Sequence, residues 1–367
     1  GSAKRPKAGD ISRELDSIGA HSNAFTGHEF TGYYAKAAPH HTDRIIDIIS
    51  DMYLHPLFDE KEMQKEKGVI IEEIRMYNDI PQKQVADTFM TLMYGDQPVG
   101  WNIAGTEETV RGFTREALAT YRNTHYTAPN TMIVIAGSFD EVATMKKIEA
   151  AFAPAPTVPA KPKLAVSESQ GAPQFAVTRK DTDQTHLVIG FRSFNATDPR
   201  TPAMHILSTL LGKGMSSRLF AKMRDDLGIC YYIKADNESF TDHGFLGIAA
   251  GLDNTRVEEG VRGILAECRR FCDELISDTE LAKAKEYIAG TTLLELETSE
   301  ARAEYCAFQE AIKHTIQKPD EFVAKIRAVT AADVQKLAKE IFVEKGMNIA
   351  AIGRTDEATL RKCATLR

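Results

Sequence analysis

Two glutamates on one stripe of a predicted helix are the residues with the clearest capacity for chemistry. The segment after Pro56 reads LFDEKEMQKEKGVIIEEIRMYND, and its periodicity predicts a helix over Glu60–Met76. Glu66 and Glu73 stand seven positions apart in it, almost two full turns, and share a stripe with apolar neighbours. A buried carboxylate is unfavourable unless it pairs with a cation or binds a metal. The pattern favours a metal-binding or acid-base role, and the alternative is a solvated helix edge.

The helix that carries these acids lies in the first of two similar stretches of sequence. Thr114–Asp140 reads TREALATYRNTHYTAPNTMIVIAGSFD, and Thr330–Asp356, 216 positions later, reads TAADVQKLAKEIFVEKGMNIAAIGRTD. Their threonine, their apolar helix positions, their strand pattern and their closing Gly-x-x-Asp coincide. A repeat of this length predicts two related folding units.

The second copy lacks the two acids. At an offset of 218 positions, Glu66 corresponds to Ala284 and Glu73 corresponds to Thr291. This contrast favours one catalytically active unit joined to an inactive one.

The first copy begins late when the two are aligned. Gly1 corresponds to Gly214, which follows a predicted strand over His186–Phe194 and an apolar helix over Pro202–Gly212. We therefore expect at least one strand and one helix to precede Gly1 in the complete protein. The alternative is that the initial Gly-Ser is an expression remnant and the first copy is naturally short.

Nitrogen or sulfur ligands for a zinc ion are poorly supplied by this sequence. A zinc site needs such ligands beside a carboxylate, and catalytic sites commonly use three protein ligands. No histidine pair has the spacing His-x-x-x-His, and the five cysteines form no Cys-x-x-Cys pair. The histidines considered are His21, His28, His40, His41 and His125. We expect reduced thiols, and a zinc site completed by the segment before Gly1.

Composition excludes several classes of function. The net charge of -7 gives no basic footprint for nucleic acid, and no apolar run is long enough for a membrane span. No signal peptide is visible, but a segment before Gly1 would hide one. A cytoplasmic location is expected, and a removed N-terminal targeting segment is the alternative. The length suits two domains. We predict a first repeat over 1–152, a Pro/Ala-rich linker and entry strand over 153–178, and a second repeat over 179–367, with a hinge through Ala153–Pro173.

The predicted elements indicate an α+β fold in which each repeat has a mostly antiparallel sheet covered by helices, the two facing each other across a cleft. The predicted strands are Thr31–Ala38, Thr131–Ala136, Gln174–Thr178, His186–Phe191, Cys230–Ala235, Gly244–Ala250 and Asn348–Ile352. The further predicted helices are Asp43–Leu54, Arg115–Tyr126, Arg256–Phe271, Asp278–Glu295, Glu300–His314 and Ala331–Phe342.

Five short motifs, in this order, resemble a known family. They are GSAKRP at Gly1–Pro6, SNAFT at Ser22–Thr26, EKGVIIEEI at Glu66–Ile74, KGMSSRLF at Lys213–Phe220 and RDDLGICY at Arg224–Tyr231. Across nearly its whole length the chain resembles the M16 zinc metallopeptidases (pitrilysin and mitochondrial processing peptidase-like), of the two-repeat bacterial or organellar type. The resemblance implies the fold of LuxS and the processing peptidases. It also implies a His-x-x-Glu-His helix, which would end just before Gly1.

The resemblance assigns roles to residues of both repeats. It implies that Glu73 is a zinc ligand and that Glu66 is a second acid of the site. Zinc and the glutamate of the absent helix would activate a water for attack on a peptide bond. The substrate would lie extended along an edge strand formed by Asn23, Ala24, Phe25 and Thr26.

Arg224 and Tyr231 would hold the substrate carbonyl from the second repeat and stabilise its developing charge. The alternatives are a surface ion pair of Arg224 with Asp225 or Asp226, and simple core packing of Tyr231.

Two functions remain open on this basis. The first is a zinc-dependent endopeptidase that cuts extended peptides or presequences in a chamber between the repeats, with this chain lacking the histidine helix. The second is a non-catalytic peptide-binding or assembly subunit of the same fold. A homodimer, or a heterodimer with a related subunit, is expected by resemblance. A nucleotide-dependent enzyme is not supported, because the segment GKGMSSR lacks the Gly-Lys-Ser/Thr order of a phosphate-binding loop.

Overall fold

The computed structural model describes residues 1–159 and 161–366. Helices α1–α14 span, in chain order, Asp10–Asp16, Thr42–Leu54, Glu60–Asp79, Pro81–Tyr94, Glu107–Gly112, Arg115–His125, Glu141–Phe152, Thr201–Gly212, Val257–Asp273, Asp278–Glu295, Ser299–Lys313, Pro319–Ala328, Ala331–Ile341 and Glu357–Cys363. Strands β1–β7 span His21–Thr26, Thr31–Lys36, Gln174–Arg179, Gln184–Ser193, Cys230–Ser239, Gly244–Asp253 and Met347–Gly353. Every helix in the described residues is too short or too polar to cross a membrane.

The chain divides into two compact units, and each unit combines helices with a β-sheet. The first unit contains the segments 1–75, 103–164 and 296–311, and the second contains the segments 76–102, 165–295 and 312–367. These units are defined by packing, so the domain boundaries predicted along the sequence stay a prediction. The α+β class is confirmed.

The second unit is built on a five-stranded sheet with apolar residues on both faces. Its strand order is β3-β7-β4-β6-β5, with β3 parallel to β7 and the other neighbours antiparallel. Because side chains alternate along a strand, Leu187 and Ile189 of β4 face a core shared with α8, α9 and α13, whereas Val188 faces the opposite side. A sheet buried on both faces needs a helical layer on each.

Helix α4 covers that opposite face, although it comes from the first half of the sequence. Pro81 stands in its first turn, where a missing N–H is tolerated, and Val85, Phe89 and Met93 repeat at four-residue spacing on its buried side. These residues share one apolar cluster with Val188. The sequence-based prediction missed this helix.

The first unit contains a β-hairpin rather than a full sheet among its described residues. Strands β1 and β2 pair antiparallel, with Asn23 opposite Tyr34. Helix α2 packs against β2, and the Tyr33 and Tyr126 hydroxyls lie 2.9 Å apart. On the hairpin, the ring of Phe308 from α11 lies 4.9 Å from the ring of Phe30.

The predicted strand Thr131–Ala136 is wrong. Its counterpart in the second unit, β7, lies between β3 and β4 and pairs with both. Among the described residues no strand pairs with 131–136, and Met132 and Ile133 are exposed. Strand structure depends on a neighbour, so a strand-like sequence without one stays irregular.

Several local contacts recur at the repeat offset. The Lys67 ammonium donates to the Arg111 carbonyl at 2.9 Å, and the Lys285 ammonium donates to the Arg327 carbonyl at 2.8 Å. Helices α6 and α13 begin in the same way, since the hydroxyl of the preceding threonine accepts a backbone hydrogen bond in each. The two halves therefore use the same local chemistry at equivalent positions.

The predicted linker is not a free connection along its whole length. Ser167 and Gln97 exchange two hydrogen bonds of 2.7 and 3.0 Å, and Glu168 pairs with Arg192 at 2.6 Å. The Gln170 amide donates to the carbonyl of Met347 at 3.0 Å. Residues 167–170 therefore contact the second unit, and the hinge through this stretch stays a prediction.

Candidate active site

Helix α3 positions both predicted acids on its exposed side. The carboxylate of Asp59 accepts from the Glu62 amide at 3.0 Å and caps the helix. The buried side carries Ile71 and Ile74, which cluster with Val110. Glu66 and Glu73 are both exposed. Their stripe of apolar neighbours suggested apolar surroundings for both acids, and this interpretation is wrong among the described residues. The periodicity identifies a shared face without showing what covers it.

The two carboxylates have no ion pair or hydrogen bond within the described part of the chain. Other acids of α3 are engaged, since Glu62 pairs with Lys65 at 2.6 Å and Glu72 pairs with Arg75 at 2.8 Å. Seven residues of helix separate Glu66 from Glu73 by about 10 Å along the axis. One ion can therefore bind one of the two directly but not both.

Apolar side chains accompany the acids on this surface of α3. Val69 is 60% exposed and Met76 is 50% exposed. With Glu66 and Glu73 they follow one another at spacings of three and four residues, which defines one continuous helix face. We call Glu66, Val69, Glu73 and Met76 the acidic face of α3.

The second unit shows what covers the equivalent side of its own helix. By the repeat offset, Glu66 corresponds to Ala284 of α10, which is 1% exposed and lies between the buried Leu281 and Ile288. Helix α10 packs against α8 and α12. The part of α3 that carries Glu66 thus corresponds to a helix-packing surface, a relation that the sequence alone did not reveal.

The metal ligands available in the first unit are incomplete. The rings of His40 and His41 are tilted against each other with centroids 4.0 Å apart, and desolvation lowers the pKa of His41. Among the described residues of this unit, no group of three His, Cys, Asp or Glu side chains that includes Glu73 lies close enough to hold an ion. The residues present therefore do not make a zinc site by themselves.

Strand β1 has one unpaired edge among the described residues, as expected of a strand that binds an extended peptide. Of the strands that the structure describes, β2 alone pairs with it. The Ala24 N–H donates to the side-chain oxygen of Asn23 at 2.9 Å. The ring of Phe25 contacts the rings of Phe30 and Phe308, whereas Thr26 is exposed near the hairpin turn.

The structure brings Arg224 and Tyr231 together in the second unit. Arg224 lies in a π-helix over Phe220–Asp226, and its guanidinium stacks over the Tyr231 ring at 5.3 Å. Tyr231 is 73% exposed, so core packing is wrong for it. The ion-pair alternative for Arg224 is also wrong within the described chain, where Arg224 pairs with neither Asp225 nor Asp226 and Asp226 pairs with Lys222 at 3.4 Å. Both polar ends are available to a ligand.

Phe308 is the site-region residue that the sequence-based reasoning missed. It belongs to α11 in the second repeat, yet its ring lies 5.9 Å from that of Phe25. The separation along the chain gave no local signal for this contact. A weak signal was the four-residue spacing of Glu300, Glu304 and Phe308 on one helix side, with Glu300 paired to Lys36 at 3.2 Å.

The chain matches two family models and several known proteins. A family model described as insulinase (peptidase family M16) matches residues 1–107, and one described as peptidase M16 inactive domain matches residues 112–288. The chain is 33% identical over 341 residues to an uncharacterized zinc protease of Bacillus subtilis, YmxG, covering 92% of this chain and 82% of that protein. It is 30% identical over 347 residues to an uncharacterized zinc protease of Streptomyces coelicolor, covering 93% and 75% of the two chains.

Solved structures share the fold at lower identity. A protease from Helicobacter pylori superposes with a TM-score of 0.88 at 20% identity, covering 95% of this chain and 85% of that one. A peptidase M16 inactive domain from Pseudomonas fluorescens gives 0.86 at 16% identity, covering 97% and 86%. A chain of Complex III2 from Candida albicans gives 0.81 at 20% identity, covering 96% and 89%.

The chain belongs to peptidase family M16.

Proposed function

We propose that this protein is the substrate-cleaving subunit of a zinc-dependent endopeptidase that acts on extended peptides. The observation that carries the proposal is the acidic face of α3, where two unpaired carboxylates stand on the helix equivalent to α10. Glu73 would supply one ligand and Glu66 a supporting acid. The nitrogen ligands would come from residues outside 1–367, in keeping with relatives that are longer than this chain.

Strand β1 would bind the peptide backbone. An extended peptide that adds to the unpaired edge of β1 needs main-chain donors and acceptors there. The Ala24 N–H now donates to the Asn23 side chain. It would be released to donate to the substrate backbone when that side chain rotates away. Asn23 then becomes free to bond the peptide itself, so one rotation provides two contacts.

Arg224 and Tyr231 would bind the carbonyl group that is attacked. A guanidinium and a phenol donate hydrogen bonds that strengthen as negative charge develops on the carbonyl oxygen. Their stacking holds both groups in one place before substrate binds. Loss of the Tyr231 hydroxyl should therefore lower turnover about 100-fold and leave metal binding unchanged.

This expectation is tested with Tyr231→Phe in the complete gene product. Peptide hydrolysis and zinc content are measured on the same preparation, because a folding defect would lower both. Full activity of Tyr231→Phe would contradict the assigned role.

Glu73→Gln tests the metal assignment. The amide is a poorer ligand than the carboxylate, so zinc per chain should fall in the complete gene product. The matched control is Glu72→Gln, which alters an exposed neighbour on the same helix that pairs with Arg75. Equal zinc content in Glu73→Gln and Glu72→Gln would refute the assignment. We also expect residues 1–367 alone to bind no stoichiometric zinc.

A non-catalytic binding or assembly subunit is the second candidate. It is favoured by the inactive-domain match of residues 112–288 and by the likeness in fold to a chain of Complex III2. The two candidates differ in one measurement, since a complete gene product that binds peptides with zinc present but never cleaves them belongs to the second. Pairing with a second copy or a related subunit is part of either proposal.

A further inference from the structure

The two compact units do not coincide with the two halves of the sequence, because each half gives a helix to the other. Helix α4 precedes the linker and belongs to the second unit, whereas most of α11 follows the linker and belongs to the first. The two helices stand at equivalent positions, about 218 residues apart. The exchange is therefore reciprocal.

The contact made by α4 is a well-packed core. Phe89 is 2% exposed, and its ring meets that of Phe245 edge-on with centroids 5.2 Å apart. Val85 and Met93 lie in the same apolar cluster, together with Ile352 of β7. Such a cluster is characteristic of a permanent interface rather than a transient one.

The sheet is shaped to receive the Phe89 ring. Gly190 of β4 lies directly beneath it, and a Cβ at position 190 would stand 2.2 Å from the ring carbon Cζ of Phe89. Real side chains do not approach so closely, so only glycine fits at this position. The second half of the sequence thus carries a recess that matches a side chain of the first half.

Helix α11 makes the reciprocal contact in the first unit. The Phe308 ring lies 4.9 Å from that of Phe30, and the Glu300 carboxylate accepts from the Lys36 ammonium at 3.2 Å. The hairpin of the first half is therefore covered by a helix of the second half.

We propose that residues 1–164 and 165–367 are two interlocked halves that each need the other to fold, and that the covalent connection between them is not what holds them together. The partner of each half is the other half, recognised through α4 on the sheet and α11 on the hairpin. This inference concerns assembly and stands whether or not the protein is a peptidase.

The test is to cut the connection in the folded, full-length chain. A site for a sequence-specific protease is inserted between Val158 and Pro159, where the described backbone is exposed. After cleavage in native buffer, size-exclusion chromatography and native mass spectrometry should give one species with the mass of the uncut chain. Two separate species under native conditions would overturn the proposal.

Variants at the interface test which contact holds the halves. After the same cut, Gly190→Val and Phe89→Ala should elute in part or wholly as separated or aggregated halves, because each disturbs the recess. Phe113→Ala is the matched control, since it removes an exposed aromatic ring in the first unit and should leave the cut complex intact. Equal retention of the complex in all three variants would show that α4 is not the contact that matters. Circular dichroism before cleavage identifies any variant that does not fold, and the parent chain decides the proposal by itself.

Discussion

His205 shows how a single partly buried residue links stability to pH. It lies on α8 with its ring edge-on to Phe322, at a centroid distance of 5.3 Å. Desolvation lowers its pKa to about 4, and the charges of Lys213 and Lys313 act in the same direction. The unfolded chain therefore takes up this proton at a higher pH than the folded protein does.

The sign of the pH effect follows from this difference. The contribution of neutral His205 is complete above the unfolded pKa of about 6.5 and is lost as the pH falls towards 4. The loss is at most about 3 kcal/mol of unfolding free energy. Urea unfolding between pH 4 and 7 measures it, and His205→Gln should flatten the profile in this range. An unchanged slope in His205→Gln would contradict the assignment.

His186 provides a comparison at the same scale. Desolvation also lowers its pKa, and its Nδ1 lies 2.9 Å from the Tyr232 hydroxyl. A His186→Gln variant therefore separates the contributions of the two histidines. The acids of α3 belong at this scale too, because their spacing predicted a shared face, whereas their exposure depends on which element lies opposite.

At the scale of elements, the sequence predicts the starts of helices best, because the capping residues stand close together in the sequence. Thr330 accepts from the Asp333 amide at 3.2 Å, and the Asp333 carboxylate accepts from the Thr330 amide at 2.8 Å. Both partners stand within four positions of sequence. The predicted starts of the helices at Arg115 and Ala331 agree with the structure to the residue.

The variant Thr330→Ala measures how much such a capping box contributes to the unfolding free energy. Loss of the cap should lower the unfolding free energy by about 1 kcal/mol. In α6 the equivalent cap is the Thr114 hydroxyl, which accepts from the Ala117 amide at 3.1 Å. Thr114→Ala removes this cap and should lower the unfolding free energy by a similar amount. Chemical denaturation of both variants provides the comparison. A neutral Thr330→Ala would mean that tertiary packing alone fixes the start of α13.

Elements that depend on distant partners were predicted less well. The segment 131–136 has the β-branched and apolar residues of a strand, but no described strand lies beside it. Helix α4 had recognisable local signals in Pro81 and its four-residue apolar spacing, yet the sheet on which it packs is about 100 positions away. Local patterns thus identify candidates, and long-range packing decides among them.

At the scale of the whole molecule, the sequence predicted the α+β class and the family but not the way the chain is shared between units. The chain passes from one unit to the other five times, twice within the continuous helices α3 and α11. A repeat in the sequence suggests two consecutive domains, each formed by one continuous half of the chain. Periodicity and composition contain no signal for a helix that leaves its own half, so this arrangement was not predictable.

The recess at Gly190 has a consequence for how the sequence can change over evolutionary time. Phe89 and Gly190 are 101 positions apart, yet a larger residue at one requires a smaller residue at the other. Homologues with alanine at the position of Gly190 should therefore carry a shorter side chain at the position of Phe89. A substitution at either position is therefore accepted only with a compensating substitution at the other. This constraint comes from packing, since neither residue touches a reacting group.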